Sequence, residues 1–286
     1  PIAVWAQSPI YASKYKAAGV NLYINGDGSL TYCLQCKIYG IQTITRQSAE
    51  LLNRPDIIDG VVVGWMHQDE PDNAQWNGSS YDPCIEPSEI QSLYNQWKAN
   101  DSTRPIYLNL GQGVSNIDYI GRGSACSGRW DMYPEYIKGT DIVSYDIYPT
   151  NSPYTEIRYN LWYVPKGIDS LRSWSNDQKP VWCWIECTDI NDGGGRKPTP
   201  AEIKAEVWMA LIHGANGYGY FCHSFATGGN DHSLLDDPIT LDAVTAINQR
   251  VTSLAPVLNS PTISDRVTVS SSNESVPIDI LVKEYG

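Results

Sequence analysis

Histidine, methionine and phenylalanine are scarce in this sequence of 286 residues, at four, three and two copies. The histidines fall into no HxH or HExxH pattern, so neither a catalytic metal nor any other cofactor is expected. No GxSxG elbow is present to raise a serine nucleophile. The triplet Gly193-Gly-Gly195 lacks the spacing of a dinucleotide fingerprint and opens no helix, so it reads as a loop. Basic residues are outnumbered, 20 Lys and Arg against 32 Asp and Glu, and stand singly along a chain of net charge −12. Without a basic stripe, a nucleic-acid partner is not expected. No apolar run reaches the roughly 18 residues a membrane span requires, so no membrane partner is expected either. No signal peptide opens the chain, which reads as a mature or trimmed product. An extracellular or periplasmic location is expected over a cytoplasmic one. No feature of the sequence speaks to oligomeric state.

What is abundant is amphipathic aromatic surface: ten Trp and nineteen Tyr. Such rings stack on sugar rings and still hydrogen-bond to hydroxyls, which points to a carbohydrate partner beside their ordinary use as core filler. Seven cysteines is an odd count, leaving at least one thiol free or paired between chains. Cys33-x-x-Cys36 has no second pair to complete a zinc site, and reads as a local disulfide or two unrelated thiols. Cys183 and Cys187 read as packing residues. Asn77-Gly-Ser, Asn100-Asp-Ser and Asn273-Glu-Ser fit the glycosylation sequon.

Strand and helix signals alternate from the first residue. Strands are expected at 2–7, 20–24, 40–45, 61–67, 105–110, 141–148, 179–186 and 217–225. Between them lie helices at 10–18, from the Ser29 cap to 37, at 48–52, after Pro87, at 162–174, and from the Thr199-Pro200 start to 213. A last helix is expected at 241–254. Eight such units predict an α/β protein with a (β/α)8 barrel over residues 1–259. A doubly wound open sheet would carry a Gly-rich first turn, where this chain has Ser8-Pro9. Residues 260–286 read as a small β-rich C-terminal segment, with strands at 266–269 and 278–282. They suit the start of a truncated β-sandwich.

Two strands end on a glutamate. The apolar run Val61-Val-Val-Gly-Trp65 leads to Asp69-Glu70-Pro71, and Val181-Trp-Cys-Trp-Ile185 leads to Glu186. Pro71 stops ladder pairing and disfavours a right-handed helical backbone at Glu70. In a barrel both ends open on the central mouth. Facing carboxyls there suit glycosidic cleavage, at about 5 Å for retention and roughly 6.5–9.5 Å for inversion. Asp69 and Asp72 add negative charge that keeps an acid protonated.

These two motifs resemble clan A of the retaining glycoside hydrolases, over about residues 2–259. The resemblance implies Glu70 as acid/base, Glu186 as nucleophile, and hydrolysis of β-linked poly- or oligosaccharides by double displacement. The clan usually has Asn before its acid/base; this chain has Asp69, which when ionised still accepts from the sugar 2-hydroxyl. The clan's aromatic partner to the nucleophile falls on Tyr145 or Tyr148. Further candidate sugar contacts at strand ends are Trp5 with Gln7, Asn25, Asn109, Gln112 and His223, whereas His67 points off the face of Glu70 and reads as packed. A non-catalytic carbohydrate-binding barrel is the alternative. A lyase or isomerase would commonly need a Lys or His base or a metal cluster, and none stands convincingly at a strand end.

Overall fold

The computed structural model describes residues 1–119, 126–190, 194–226, 228–273 and 275–286. Arg122, Gly193 and Glu274 of the third sequon lie outside them. Eight parallel strands close into a barrel: β1 Ile2–Trp5, β2 Leu22–Gly26, β3 Gln42–Thr45, β4 Val62–Met66, β5 Ile106–Leu110, β6 Ile142–Asp146, β7 Val181–Glu186 and β8 Gly217–Phe221. Each is paired with its sequence neighbours, and β1 closes the ring by pairing Ala3 with Gly219 on one side and Leu22 on the other. The helices are α1 Ala12–Ala17, α2 Leu30–Tyr39, α3 Ala49–Leu52, α4 Pro55–Ile58, α5 Pro87–Asn100, α6 Tyr133–Lys138, α7 Tyr163–Trp174, α8 Pro200–Ile212 and α9 Pro238–Leu258.

Strand alternation sorts the apolar residues into two layers. Ala3, Trp5, Leu22, Ile24, Ile44, Met66, Tyr107, Trp182 and Trp184 fill the barrel. Val4, Tyr23, Trp65, Leu108, Val143, Tyr145, Cys183 and Tyr220 point outward to the helices. Large interior rings need small neighbours. Trp184 meets Trp5 edge-on at 4.7 Å, and its other side is open because its partner across the ladder is Gly219. A Cβ on Gly219 would stand 2.3 Å from the Trp184 ring.

Local signals set the helix starts. Ser29 accepts from the Tyr32 N–H, Thr199 and Glu202 form a reciprocal capping box, and Asp237 caps α9. That last cap starts α9 earlier than the apolar period alone places it. Asn248 of α9 fastens the closing seam: its Oδ1 accepts from Tyr218 and Tyr220, both at 2.9 Å, and its Nδ2 donates to the Ala18 carbonyl at 2.7 Å.

Two expectations are corrected. The strands expected at 266–269 and 278–282 do not form; the segment carries an isolated antiparallel bridge, Thr262 to Lys283. Val267, Val269, Ile278 and Ile280 stay exposed, so alternation had no apolar face to bury against. Tyr145 does not face the mouth. It falls on the outward set of β6, donates to the Tyr163 and Val164 carbonyls, and packs where Gly167 of α7 leaves room for its ring. Of the two alternatives for Cys33 and Cys36, the structure has the pair of thiols: both are free and buried, and the disulfide joins Cys84 to Cys126.

Gly219→Ala should lower unfolding stability by about 1–3 kcal/mol through overpacking against Trp184. Urea unfolding checks this, and an unchanged midpoint would mean that the interior has slack beside that ring.

Candidate active site

The fourth strand delivers its acids through a sharp change of backbone. His67, facing outward, stacks on Trp97 of α5 at 5.1 Å and donates Nε2–H to the Gly139 carbonyl at 2.8 Å. Burial pushes its pKa down to about 4, so it is a neutral packed ring, as its position off the Glu70 face implies. Three residues on, Glu70 takes φ = 43°, a left-handed conformation that costs energy for a residue with a Cβ. Three hydrogen bonds hold it there. The Glu70 N–H donates to the Asn109 carbonyl at 3.1 Å, while its own carbonyl accepts from the Asn73 N–H at 3.0 Å and the Gln75 amide at 2.9 Å. Asn73 Nδ2 donates to Glu70 Oε2 at 2.8 Å.

Asp146 ends β6 on the inward set that includes Ser144, close enough to Glu70 for the charge of one carboxyl to act on the other. Burial is the main cause holding the Asp146 pKa well above the carboxylate range. The charges of Glu70 and Asp69 add to it, against a donation from Asn109. Tyr148 stands near Asp146, and burial followed by the Asp146 charge raises its phenol.

Beneath the acids runs a polar chain through the barrel. Trp184 Nε1–H donates to the Tyr107 hydroxyl at 3.1 Å, and that hydroxyl is bonded to Ser144 Oγ. Ser144 donates to Asn109 Oδ1 at 2.6 Å. Asn109 Nδ2 then donates to Asp69 at 3.0 Å and Asp146 at 3.2 Å. Every interior polar group in this chain has a partner, which low dielectric demands.

Asp72 backs this cluster. It accepts from the Gly111 N–H at 2.9 Å and the Tyr133 hydroxyl at 3.0 Å. Burial, opposed by the Gly111 bond and helped by the Glu70 charge, pushes its pKa up to about 7. The Cys84–Cys126 disulfide ties the loop after β4 to the loop after β5 beside it.

Glu186 occupies a separate place. Its side chain is 0% exposed. Oε1 accepts from the Thr150 N–H at 2.6 Å, and Oε2 from the Asn151 N–H at 2.9 Å and Asn151 Nδ2 at 2.6 Å. Burial raises its pKa and these donors oppose the rise. Glu206 of α8, also wholly buried, has its own pKa raised by burial and then by the Glu186 charge.

The structure therefore brings Asp69, Glu70, Asn109 and Tyr148 together and holds Glu186 in a pocket of backbone N–H groups. Trp5 and His223 meet on the β8 side, His223 Nε2 donating to the Trp5 carbonyl at 3.1 Å. Gln7 is a buried strut, accepting from the Tyr15 hydroxyl at 2.7 Å. Asn25 sits half-buried at φ = 60° in the bulge of β2, and Gln112 half-buried in the turn after β5. Asp146 and Asn73 went unnamed among the sequence candidates. Alternation from Ser144 was the signal for Asp146, while Asn73 lies past a proline where no period applies. Among the described residues, no group of three or more His, Cys, Asp or Glu is arranged to hold a metal ion, and no helix is long and apolar enough to cross a membrane.

No family model and no curated protein matches the chain. Solved structures match in fold. A β-galactosidase from the psychrophilic Marinomonas ef1 superposes with TM-score 0.60 at 11% identity over 89% of this chain, which spans 60% of that protein's length. A GH5_18 protein from Bifidobacterium longum subsp. infantis gives 0.60 at 9% identity, over 85% of this chain and 73% of that one. Active domain 2 of a Pyrococcus furiosus chitinase gives 0.55 at 11% identity, over 88% and 94%. At these identities the likeness establishes the (β/α)8 barrel.

Asp72 has a folded-state pKa of about 7 against 3.8 for an ordinary aspartate. A raised value means its contribution is fully present below about pH 4 and lost as pH climbs through 7. Asp72→Asn cannot ionise, so its stability should fall less than that of the unmodified protein between those limits. Urea midpoints across that range check this, and parallel curves would remove Asp72 as the cause.

Proposed function

We propose that this barrel is a glycoside hydrolase acting on a poly- or oligosaccharide, with Glu70 protonating the leaving oxygen. The observation that carries this is the cluster of acids at the mouth, Asp69 and Asp146 both held by the Asn109 amide and Glu70 held by Asn73 and the Asn109 carbonyl. Burial and the charges of Glu70 and Asp69 keep a proton on Asp146, so the mouth carries a proton beside Glu70 where a glycosidic oxygen needs one in order to depart. Asp146 is a positioning residue on this reading, held at the mouth by Asn109. The β-galactosidase and the chitinase domain among the similar solved barrels support the substrate class.

The retaining course on a β-linkage assigns Glu186 as nucleophile, and three N–H donors favour its charged form. Its complete burial favours a second reading, in which Glu186 anchors the loop after β6 and the barrel binds glycans without cleaving them. The Cys84–Cys126 disulfide supports an extracellular or periplasmic site of action.

Hydrolysis of aryl β-glycosides and a panel of soluble glycans by Glu70→Gln, Asp146→Asn and Glu186→Ala tests both readings. Glu70→Gln should lower kcat by roughly 10²–10⁴. Azide rescue as a glycosyl azide of inverted configuration identifies the nucleophile by the variant in which it appears. Full activity in Glu70→Gln would sink the assignment. Glycan binding without turnover by the unmodified protein would leave a non-catalytic barrel.

A further inference from the structure

We propose that Tyr148, Phe221 and Phe225 form an aromatic shelf for sugar units beyond the reacting one, so that the ligand is an oligosaccharide chain rather than a single sugar. The proposal rests on the glycosidase reading for where the chain is cut, and on the shelf alone for where it is held.

Phenylalanine occurs twice in the whole sequence, and both copies stand at the end of β8 and just after it. Phe lacks the polar atom that lets Tyr or Trp sit comfortably half in water. Phe225 is nonetheless 62% exposed. It is not on a slack loop. Ser224 and Asn230 exchange backbone bonds at 2.8 and 2.9 Å, and the Phe225 N–H donates to the Ile190 carbonyl at 2.9 Å. A pinned backbone therefore holds an apolar ring toward solvent, where covering it is favourable.

The rings are continuous with the acids. Tyr148, two residues beyond Asp146 and within reach of its charge, lies 5.2 Å from Phe221, and Phe221 lies 6.0 Å from Phe225. His223 stacks on Phe221 at 4.9 Å with its orientation fixed by the Trp5 carbonyl. A sugar reacting at Glu70 covers the Tyr148 end; only further units reach Phe225. Beside Phe225 opens a pocket edged by Asn230, Asp231 and His232, which supplies the hydrogen-bonding partners that hydroxyl groups require. C–H faces on rings and hydroxyls on a polar edge is the division a sugar chain presents.

The test uses Phe225→Ala and Phe225→Trp with two probes: 4-nitrophenyl β-glycosides of glucose, xylose and mannose, and the corresponding β-1,4-linked hexaoses. For the sugar that is cleaved, Phe225→Ala should reduce kcat/KM on the hexaose about tenfold more than on the aryl glycoside, through KM, and Phe225→Trp should restore it. Equal losses on both probes, or none on the hexaose, would overturn the shelf. Gel retardation in the soluble β-1,4-linked polysaccharides of the same three sugars separates this from the catalytic reading. Retardation of Glu70→Gln that disappears in Glu70→Gln/Phe225→Ala supports the shelf even if nothing is hydrolysed. Glu70→Gln migrating unretarded in all of them would overturn it.

Discussion

One amide gives its two hydrogens to two carboxylates: Asn109 Nδ2 donates to Asp69 at 3.0 Å and to Asp146 at 3.2 Å. Its backbone carbonyl meanwhile holds the N–H of Glu70. Three acids at a narrow barrel mouth repel one another, and moving apart is cheaper than staying unless a donor stands between them. Asn109 is that donor, and its own carbonyl is fixed by Ser144. The acids at the surface thus depend on a side chain of β5 that is fixed from inside the barrel.

The interior makes this possible because it is mixed. Trp5, Trp182 and Trp184 supply bulk, Gly219 makes room for it, and the Trp184 indole N–H starts the polar chain that ends at the acids. An interior of aliphatic side chains alone would pack as tightly and offer Ser144 and Asn109 nothing to lean on. Glu70 carries backbone strain, and three hydrogen bonds offset it. The outward faces of the same strands are conventionally apolar against the helices.

Much of this was legible in the sequence. The eight-strand period, the Ser29 and Thr199 caps, the packed His67 and the approach to Glu70 all follow from local rules, because each depends on residues close in the chain. Where alternation runs, it also says which residues share a face, and Ser144 marks Asp146 as inward. It fails at strand ends. Glu186 follows a regular strand, yet its carboxyl is directed by N–H groups of Thr150 and Asn151, from a loop that no period describes. Tyr145 and Tyr148 could not be separated, because the strand ends between them. The Cys84–Cys126 pairing joins two long loops, and spacing carries no information about which loops meet. At 266–269 and 278–282 a two-residue period exists without a buried surface to use it.

The seam between β1 and β8 sets a timetable for assembly. Residues 2–4 cannot complete their ladder until 218–220 exist, and Asn248 fastens that join later still. At translation rates of about 5–20 residues per second, the first strand of a nascent chain waits on the order of ten to forty seconds with one edge unpaired. An open edge is a template for the wrong neighbour. The Trp5–His223 contact at the mouth is also among the last to form, so a ribosome-bound chain short of β8 has made its acids but not the cleft that would present a sugar to them.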